Sequence, residues 1–335
     1  MPSNKEDGLK FDIKAPFQYY FTRIPEKDKC IYLKLLEGIS DLSRSIIVIG
    51  KNVEKIQRIY ELVKFDNPLI FYVDQLKYSC SPMFSQIMVI PQYRFGKKDI
   101  ANILSELQRE LNLCCSKWKW LSDIEKEKNI HDYLVKKVEY GRDQKASSFE
   151  AVGPILFGTG VCEGISKAAK LFCDYLGLVS MIVMGKKNTQ NTADCQELHA
   201  WNIIWIAGNQ YHMDITFDLT VMTYGVSRYD YFNLSDREIQ RDHLVLSEYT
   251  PKCVNSYGFY QKENLFLANQ KDLMDIIGKN VNKDIVFQLP YDVNFYNARE
   301  KVMQIIRNSI LASKKIQNVE IAFNESQRVF HLHYL

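Results

Sequence analysis

Three side chains in this sequence have the types and spacing for covalent chemistry: a cysteine opening a helix, a histidine on a strand and an aspartate shortly after it. Gly158-Thr159-Gly160-Val161-Cys162-Glu163-Gly164 runs into a segment where Ile165, Ala168, Ala169, Phe172 and Leu176 recur at helical spacing, with Gly177 where a C-terminal cap belongs. At such a helix start, unpaired N–H groups and the positive end of the helix dipole favour thiolate, the nucleophilic form of Cys162. Gly160 and Gly164 are expected to let a substrate backbone approach the sulfur, because a side chain at either could block it. Taken alone, Cys162 reads as a small buried helix residue, since free cysteine is among the most buried types. A nucleophilic reading also needs a base and a group to orient it, distant in sequence and close in space.

Both follow downstream. His199 to Ile206, then Ala207-Gly208-Asn209-Gln210, then Tyr211 to Phe217 read as two strands around a short turn, a β-hairpin. A loop from Ile206 to Asn209 sets a register that pairs His199 with Thr216 and Trp201 with Asp214. His199 and Asp214 are then diagonal neighbours on one face, about 7–8 Å apart at the backbone and within hydrogen-bonding reach. A one-residue slip would put them on opposite faces. His212 shares that face in a regular strand and reads as a non-catalytic neighbour. Asp218 is the competing acid, four residues further along, and His243 reads as structural.

The order and spacing of these motifs resemble the core of the transglutaminase-like superfamily, the papain-related group of transglutaminases, bacterial transglutaminase-like proteases and peptide N-glycanases. Gly-Val-Cys-Glu-Gly leads the helix, His-Ala-Trp-Asn lies on one strand and Tyr-His-Met-Asp-Ile-Thr on the next. Ile130-His131-Asp132-Tyr133-Leu134-Val135 resembles the family's preceding helix. Tyr231 to Asp236, with Asp242-His243, resembles the segment that follows the Asp strand in many bacterial members. The resemblance covers about residues 120 to 260. It implies an α+β, papain/transglutaminase-like core in which a helix bearing Cys162 packs on an antiparallel sheet bearing His199 and Asp214. It further implies Cys162 as nucleophile, His199 as base and Asp214 as orienting carboxylate, acting on peptide or glutamine-type amide bonds. Asp214, in its Asp-Ile-Thr context, is thereby preferred to Asp218. Tyr140 matches a position that is often Tyr in relatives, bordering the site or packing beside it. Bacterial relatives incline the reading to hydrolysis. An amine acceptor would need an apolar channel, for which Trp201 and Trp205 are the nearest aromatics. The alternative is a non-catalytic peptide- or glycan-binding or assembly module on the same scaffold.

Hydrophobic content of 46% and charged content of 25% over 335 residues are those of a globular protein with two or three domains. The boundaries suggested are 1–117 for an N-terminal α/β region, 118–254 for the core and 255–335 for a C-terminal α/β region. A formal charge of +3 and the lack of a basic block give no support for nucleic-acid or membrane-surface binding. The polar N-terminus and the lack of a long apolar run suggest a cytoplasmic protein, and the resemblance implies a peptide or protein substrate. Eight cysteines show no CxxC pair and no metal-ligand spacing, so no cofactor or metal is expected, and the zinc-bearing type of peptide N-glycanase is disfavoured.

The elements expected to position the site follow from periodicity. Helical patterns run from Pro25 through Ile39, Val53 to Val63, Lys97 to Leu113 and Ile124 to Val138; strand-like runs occupy Leu69 to Val73, Gln86 to Pro91 and Val179 to Met184. Trp118 and Trp120 suit a domain junction or a cleft lining, and Lys186 to Gln196 is a polar loop at one end of the hairpin. Beyond residue 255, helices at Gln270–Ile277 and Ala298–Ile310 alternate with extended runs at Asp284–Leu289, Val319–Phe323 and Arg328–Tyr334. His331 and His333 share one face of the last run and read as ordinary strand residues.

Overall fold

The computed structural model describes residues 16–80, 85–141, 145–187, 197–280, 283–290, 300, 302–308 and 319–335. Helices form where apolar spacing and capping agree. After the short α1 (Tyr19–Arg23), α2 (Glu26–Ser40) starts directly behind Pro25 and buries Tyr32, Leu35 and Ile39. The N-cap Asn52 of α3 (Val53–Asp66) accepts the Lys55 N–H. α4 (Lys97–Trp118) buries Ile100, Leu104, Leu107, Leu111 and Cys115, a stripe at three- and four-residue spacing. At the start of α5 (Asp123–Lys137), Glu125 reaches back to accept the Ser122 N–H at 2.9 Å.

Strands β1 (Ile46–Ile49), β2 (Val73–Cys80) and β3 (Gln86–Tyr93) form an antiparallel sheet in the order β1-β3-β2. The run from Leu69 is not a strand: Ile70, Phe71 and Tyr72 are buried in the core without ladder partners, and pairing begins at Val73. Two-residue strands β4 (Glu139–Tyr140) and β5 (Thr159–Gly160) pair in parallel and lead into α6 (Cys162–Leu176). α6 ends at Gly177, whose φ of 75° is the left-handed conformation that closes helices.

The central sheet is antiparallel throughout, in the order β10-β6-β7-β8-β9, from β6 (Ser180–Lys187), β7 (Leu198–Ile206), β8 (Asn209–Met213), β9 (Phe232–Leu234) and β10 (His243–Val245). Ile206 pairs with Asn209 across Ala207 and Gly208, both at positive φ. Two such residues form the tight turn that suits strand twist, and they set the register expected from the sequence, with Asn202 opposite Met213. The second strand stops earlier than expected. Its last residue is Met213, and Asp214 caps α7 (Ile215–Val221) by accepting the Phe217 N–H at 3.0 Å. The β-branched Ile215 and Thr216 suggest strand, but the aspartate cap overrides that preference.

Helices α8 (Asp236–Ile239), α9 (Phe259–Lys262) and α10 (Gln270–Lys279) lead to a third sheet. It is built from β11 (Ile285–Gln288), β12 (Val319–Asn324) and β13 (Val329–Tyr334) in the order β11-β13-β12. Residues 302–308 are helical within the expected 298–310 segment. The expected loop after β6 lies outside the described residues from 188 to 196, and Cys195 with it.

The architecture is α+β. One apolar cluster runs from α2 and α3 (Tyr32, Leu35, Val63) through Leu134 and Phe172 to Ile204 and Met213 on the central sheet. α6 is enclosed on nearly every side, to the point that Lys167 and Lys170 are buried as well. A separate cluster of Leu273, Ile277, Phe287, Val302, Phe330 and Leu332 supports the third sheet. None of the described helices is long and apolar enough to cross a membrane.

Candidate active site

Cys162 is the first residue of α6, and two flanking contacts hold that helix end. The Val161 N–H donates to Ser148 O at 3.0 Å. At the other side, a Cβ on Gly164 would stand 2.2 Å from the same carbonyl oxygen. A Cβ on Gly160 would lie 2.7 Å from the Pro154 ring and 3.2 Å from Ile165. These glycines were expected to admit substrate. Instead, their missing side chains admit the protein's own backbone and ring. Beneath them, Lys167 Nζ lies 2.6 Å from Glu150 Oε2 and 2.7 Å from Glu163 Oε1, and donates to Phe149 O at 3.0 Å. One buried cation thus ties the 146–150 turn to the first turn of α6. On the sheet side, Asn202 Nδ2 donates to Ser166 O at 3.0 Å, locking α6 onto β7.

His199 is buried, and its Nε2 lies 2.6 Å from Asp214 Oδ2. Its other nitrogen, Nδ1, is buried without a hydrogen-bond partner. Burial opposes a charge on the ring, but the Asp214 carboxylate outweighs it, with help from the Cys162 sulfur, and the pKa rises to about 9. The thiol is therefore within electrostatic reach of the imidazole, without a fully formed hydrogen bond to Nδ1. Such contacts often tighten only once a substrate is bound. For Asp214, burial again works against charge, and His199 and then His243 more than compensate, holding the carboxyl well below its usual range. Cys162 itself is partly exposed.

Other sequence-derived candidates fall elsewhere. Trp201, expected to contact substrate, is 1% exposed. Its ring lies over Gly185, where a Cβ would meet it at 2.4 Å, and its Nε1–H donates to His212 Nδ1 at 2.9 Å. An odd-numbered β7 residue faces the interior here, because the sheet is covered on both sides. Trp205 packs on Tyr19, with ring centroids 5.4 Å apart. Tyr140 is exposed and pairs with Gly160 across β4 and β5, two residues before the cysteine. Asp218 is not the partner of His199; it lies 3.1 Å from His131 Nε2 and accepts the Tyr231 N–H at 3.0 Å. Trp118 packs on Tyr133 and Phe172, while Trp120 is exposed. His331 meets Thr223 at 2.9 Å and Asp284 at 3.4 Å, and His333 meets Asp284 at 2.9 Å.

His243, read from the sequence as structural, joins the site. Its Nε2 is 3.0 Å from Asp214 Oδ2 and its Nδ1 is 2.6 Å from Asp242 Oδ1. The Asp242-His243 pair was visible in the sequence, but only the strand order that returns β10 beside β6 brings it to Asp214.

Among the described residues, two groups have the composition of metal ligands, His199 with Asp214 and His243, and His212 with Asp236 and Cys253. Their hydrogen bonds do not suit a metal. Trp201 donates to His212 Nδ1, so the proton of the neutral ring sits on Nε2, the nitrogen 2.9 Å from Asp236. His199 and His243 both direct Nε2 at an acceptor oxygen and need their protons there. The facing nitrogens have no lone pair to give an ion.

Residues 119–215 match the model of the transglutaminase-like superfamily, a span that contains Cys162, His199 and Asp214. That span is similar to a transglutaminase-like core. Among solved structures, it is similar to a "Putative Cysteine Protease" from Cytophaga hutchinsonii, at 13% identity over 42% of this chain and 61% of that one, with a TM-score of 0.28. It is similar also to a TGase, at 14% identity over 55% of this chain and 53% of that one, with a TM-score of 0.31. The chain thus spans 61% and 53% of the lengths of those proteins. Curated proteins offer no match. The transglutaminase-like core so matched ends one residue past Asp214, so His243 and Asp242 stand outside it.

Proposed function

We propose that this protein is a cysteine-dependent hydrolase or acyltransferase that acts on peptide or glutamine-type amide bonds through a thioester on Cys162. The observation that carries this reading is the state of His199: one nitrogen held at 2.6 Å by Asp214, the other buried, unpaired and beside a partly exposed thiol. Asp214 fixes the tautomer with the proton on Nε2, leaving the Nδ1 lone pair to accept the thiol proton. The thiolate then attacks the amide carbonyl carbon, forming a C–S bond and placing charge on oxygen. As the first residue of α6, Cys162 has a backbone N–H with no intrahelical acceptor, a donor available to that oxygen. His199 returns its proton from Nδ1 to the departing nitrogen as the C–N bond breaks. Water, deprotonated by the same ring, then resolves the thioester to a carboxylic acid and frees the thiol.

Hydrolysis is favoured over amine transfer, because burial of Trp201 and engagement of Trp205 with Tyr19 remove the two aromatics that were candidates for an amine channel. Tyr140, exposed beside Gly160, remains the proposed substrate contact. The reading is tested by incubation with glutamine-containing peptides, with and without a primary amine. Formation of the free carboxylic acid with and without the amine supports hydrolysis, and amine incorporation supports transfer; ammonia leaves in the thioester-forming step in either case. In parallel, iodoacetamide should label Cys162 ahead of the buried Cys115, Cys173 and Cys253, whose thiols burial pushes up in pKa. No turnover of any peptide, together with unselective labelling, would leave the binding-module alternative.

A further inference from the structure

Asp214 serves two rings, and its hydrogen bonds dictate the charge on the second. Oδ1 is occupied by the Phe217 N–H, while Oδ2 faces both His199 Nε2 at 2.6 Å and His243 Nε2 at 3.0 Å. A carboxylate oxygen only accepts, so each ring must present an N–H. On its far side His243 Nδ1 lies 2.6 Å from Asp242 Oδ1. The other oxygen of Asp242 accepts the Tyr231 hydroxyl at 2.6 Å, and burial holds that phenol protonated. Asp242 is therefore an acceptor at both ends, and the nitrogen facing it must also be a donor. We propose that His243 is a standing imidazolium, clamped between Asp214 and Asp242, that positions Asp214 and sets how firmly His199 holds its proton.

The groups around it bear out the balance of charge. α7 contributes Asp214, β7 contributes His199, and the segments beside β9 and β10 contribute Tyr231 and Asp242. β6 places Lys187 opposite His243, with its ammonium 5.5 Å from the centre of the Phe217 ring. His212 stands behind Trp201, whose ring centroid lies 5.1 Å from that of His243 in an edge-on arrangement. Two anions thus flank one ring, and the centroids of His199 and His243 are 5.4 Å apart. At that distance a cation on His243 repels one on His199 and checks the pull of Asp214. Without it, Asp214 would hold His199 too basic to surrender its proton readily. His243 is a positioning residue: it acts through Asp214 and does not touch the sulfur.

The consequence for His199 rests on the thiol–imidazole reading above; the protonation of His243 does not. Nitrogen-15 NMR of the histidine-labelled full chain at pH 7 should show both ring nitrogens of His243 protonated. Carboxymethylation of Cys162 by iodoacetate, an anionic reagent that feels the imidazolium, should slow as His199 loses its proton. In Asp242→Asn and His243→Gln that alkaline limb should move up by about one pH unit, because the neighbouring cation is gone. A packing role for His243 would alter stability and leave the limb in place. A His243 ring with one protonated nitrogen, or an unmoved limb in the folded variants, overturns the proposal. If the variants fail to fold, the NMR spectrum of the unaltered protein decides. Doubly protonated His243 and a shifted limb with no amide turnover would instead reject the enzymatic reading alone.

Discussion

His131 and His199 are both buried, and each has Nε2 against an aspartate, at 3.1 Å from Asp218 and 2.6 Å from Asp214. They differ at the other nitrogen. His131 Nδ1 lies 3.1 Å from Asp132, and its ring stacks on Tyr229. His199 Nδ1 has no hydrogen-bond partner, and the Cys162 sulfur acts electrostatically on that ring. The same couple is in one place closed at both nitrogens and in the other left with a nitrogen to spare. Among the described residues, His199 is the histidine with a buried unpaired nitrogen, and a buried polar atom left open asks for a partner. A His–Asp contact therefore does not mark a site; the incomplete one does.

Replacement at the two positions should separate these roles. His199→Gln should lower amide turnover of the folded protein by about 10⁴-fold, beyond the stability cost of parting a buried His–Asp pair. Retained turnover would end the comparison. His131→Gln should leave turnover of the folded protein in place while costing about 3–5 kcal/mol of stability, because two carboxyl groups lose a buried partner. Urea denaturation measures that loss, and a stable but inactive variant would assign His131 a chemical role.

Titration gives a third, smaller contrast. The His131 pKa is raised from 6.5 to about 8, since Asp132 and Asp218 outweigh burial, and that of His199 to about 9. A raised folded-state pKa contributes stability fully present below about pH 6.5 and lost as pH rises through the folded value. Glu127, fully buried and bonded to Asn233 at 2.9 Å, is pushed up to about 8 by burial, with Asn233 opposing. Its protonated form likewise favours the fold, and that contribution fades from about pH 4.5 to about 8. Stability should therefore decline between pH 6.5 and 9, and Glu127→Gln should flatten the slope below pH 8. An unchanged slope in denaturant midpoints against pH would contradict the assignment. The smallest effect belongs to the third buried histidine. Trp201→Phe removes the donor to His212 Nδ1 and should cost about 1–3 kcal/mol, with little change in turnover. A large loss of turnover would give Trp201 the substrate role that its burial argues against.

Much of the frame was legible because it depends on neighbours in the chain. The α6 stripe, the Gly177 cap and the Ala207-Gly208 turn are local, and the turn alone set the register that carries His199 toward Asp214. Reading failed where packing overrode local preference. Ile215 and Thr216 suit a strand, yet Asp214 caps a helix there. Ile46–Ile49, too short to show a period, became a strand by pairing with β3. Gly160 and Gly164 have their reasons in residues 147–154, whose position against α6 no spacing rule supplies.

The sequence by itself determined the chemical parts: a cysteine at a helix start, and a histidine and an aspartate held near each other by a hairpin. Spacing and turn chemistry act over a few residues, and a one-dimensional string contains them. Tertiary structure decided which histidine keeps an open nitrogen, that Trp201 is enclosed, and that His243 shares Asp214. Those outcomes depend on the order of strands in the central sheet and on burial, which sum contacts between residues far apart in the chain.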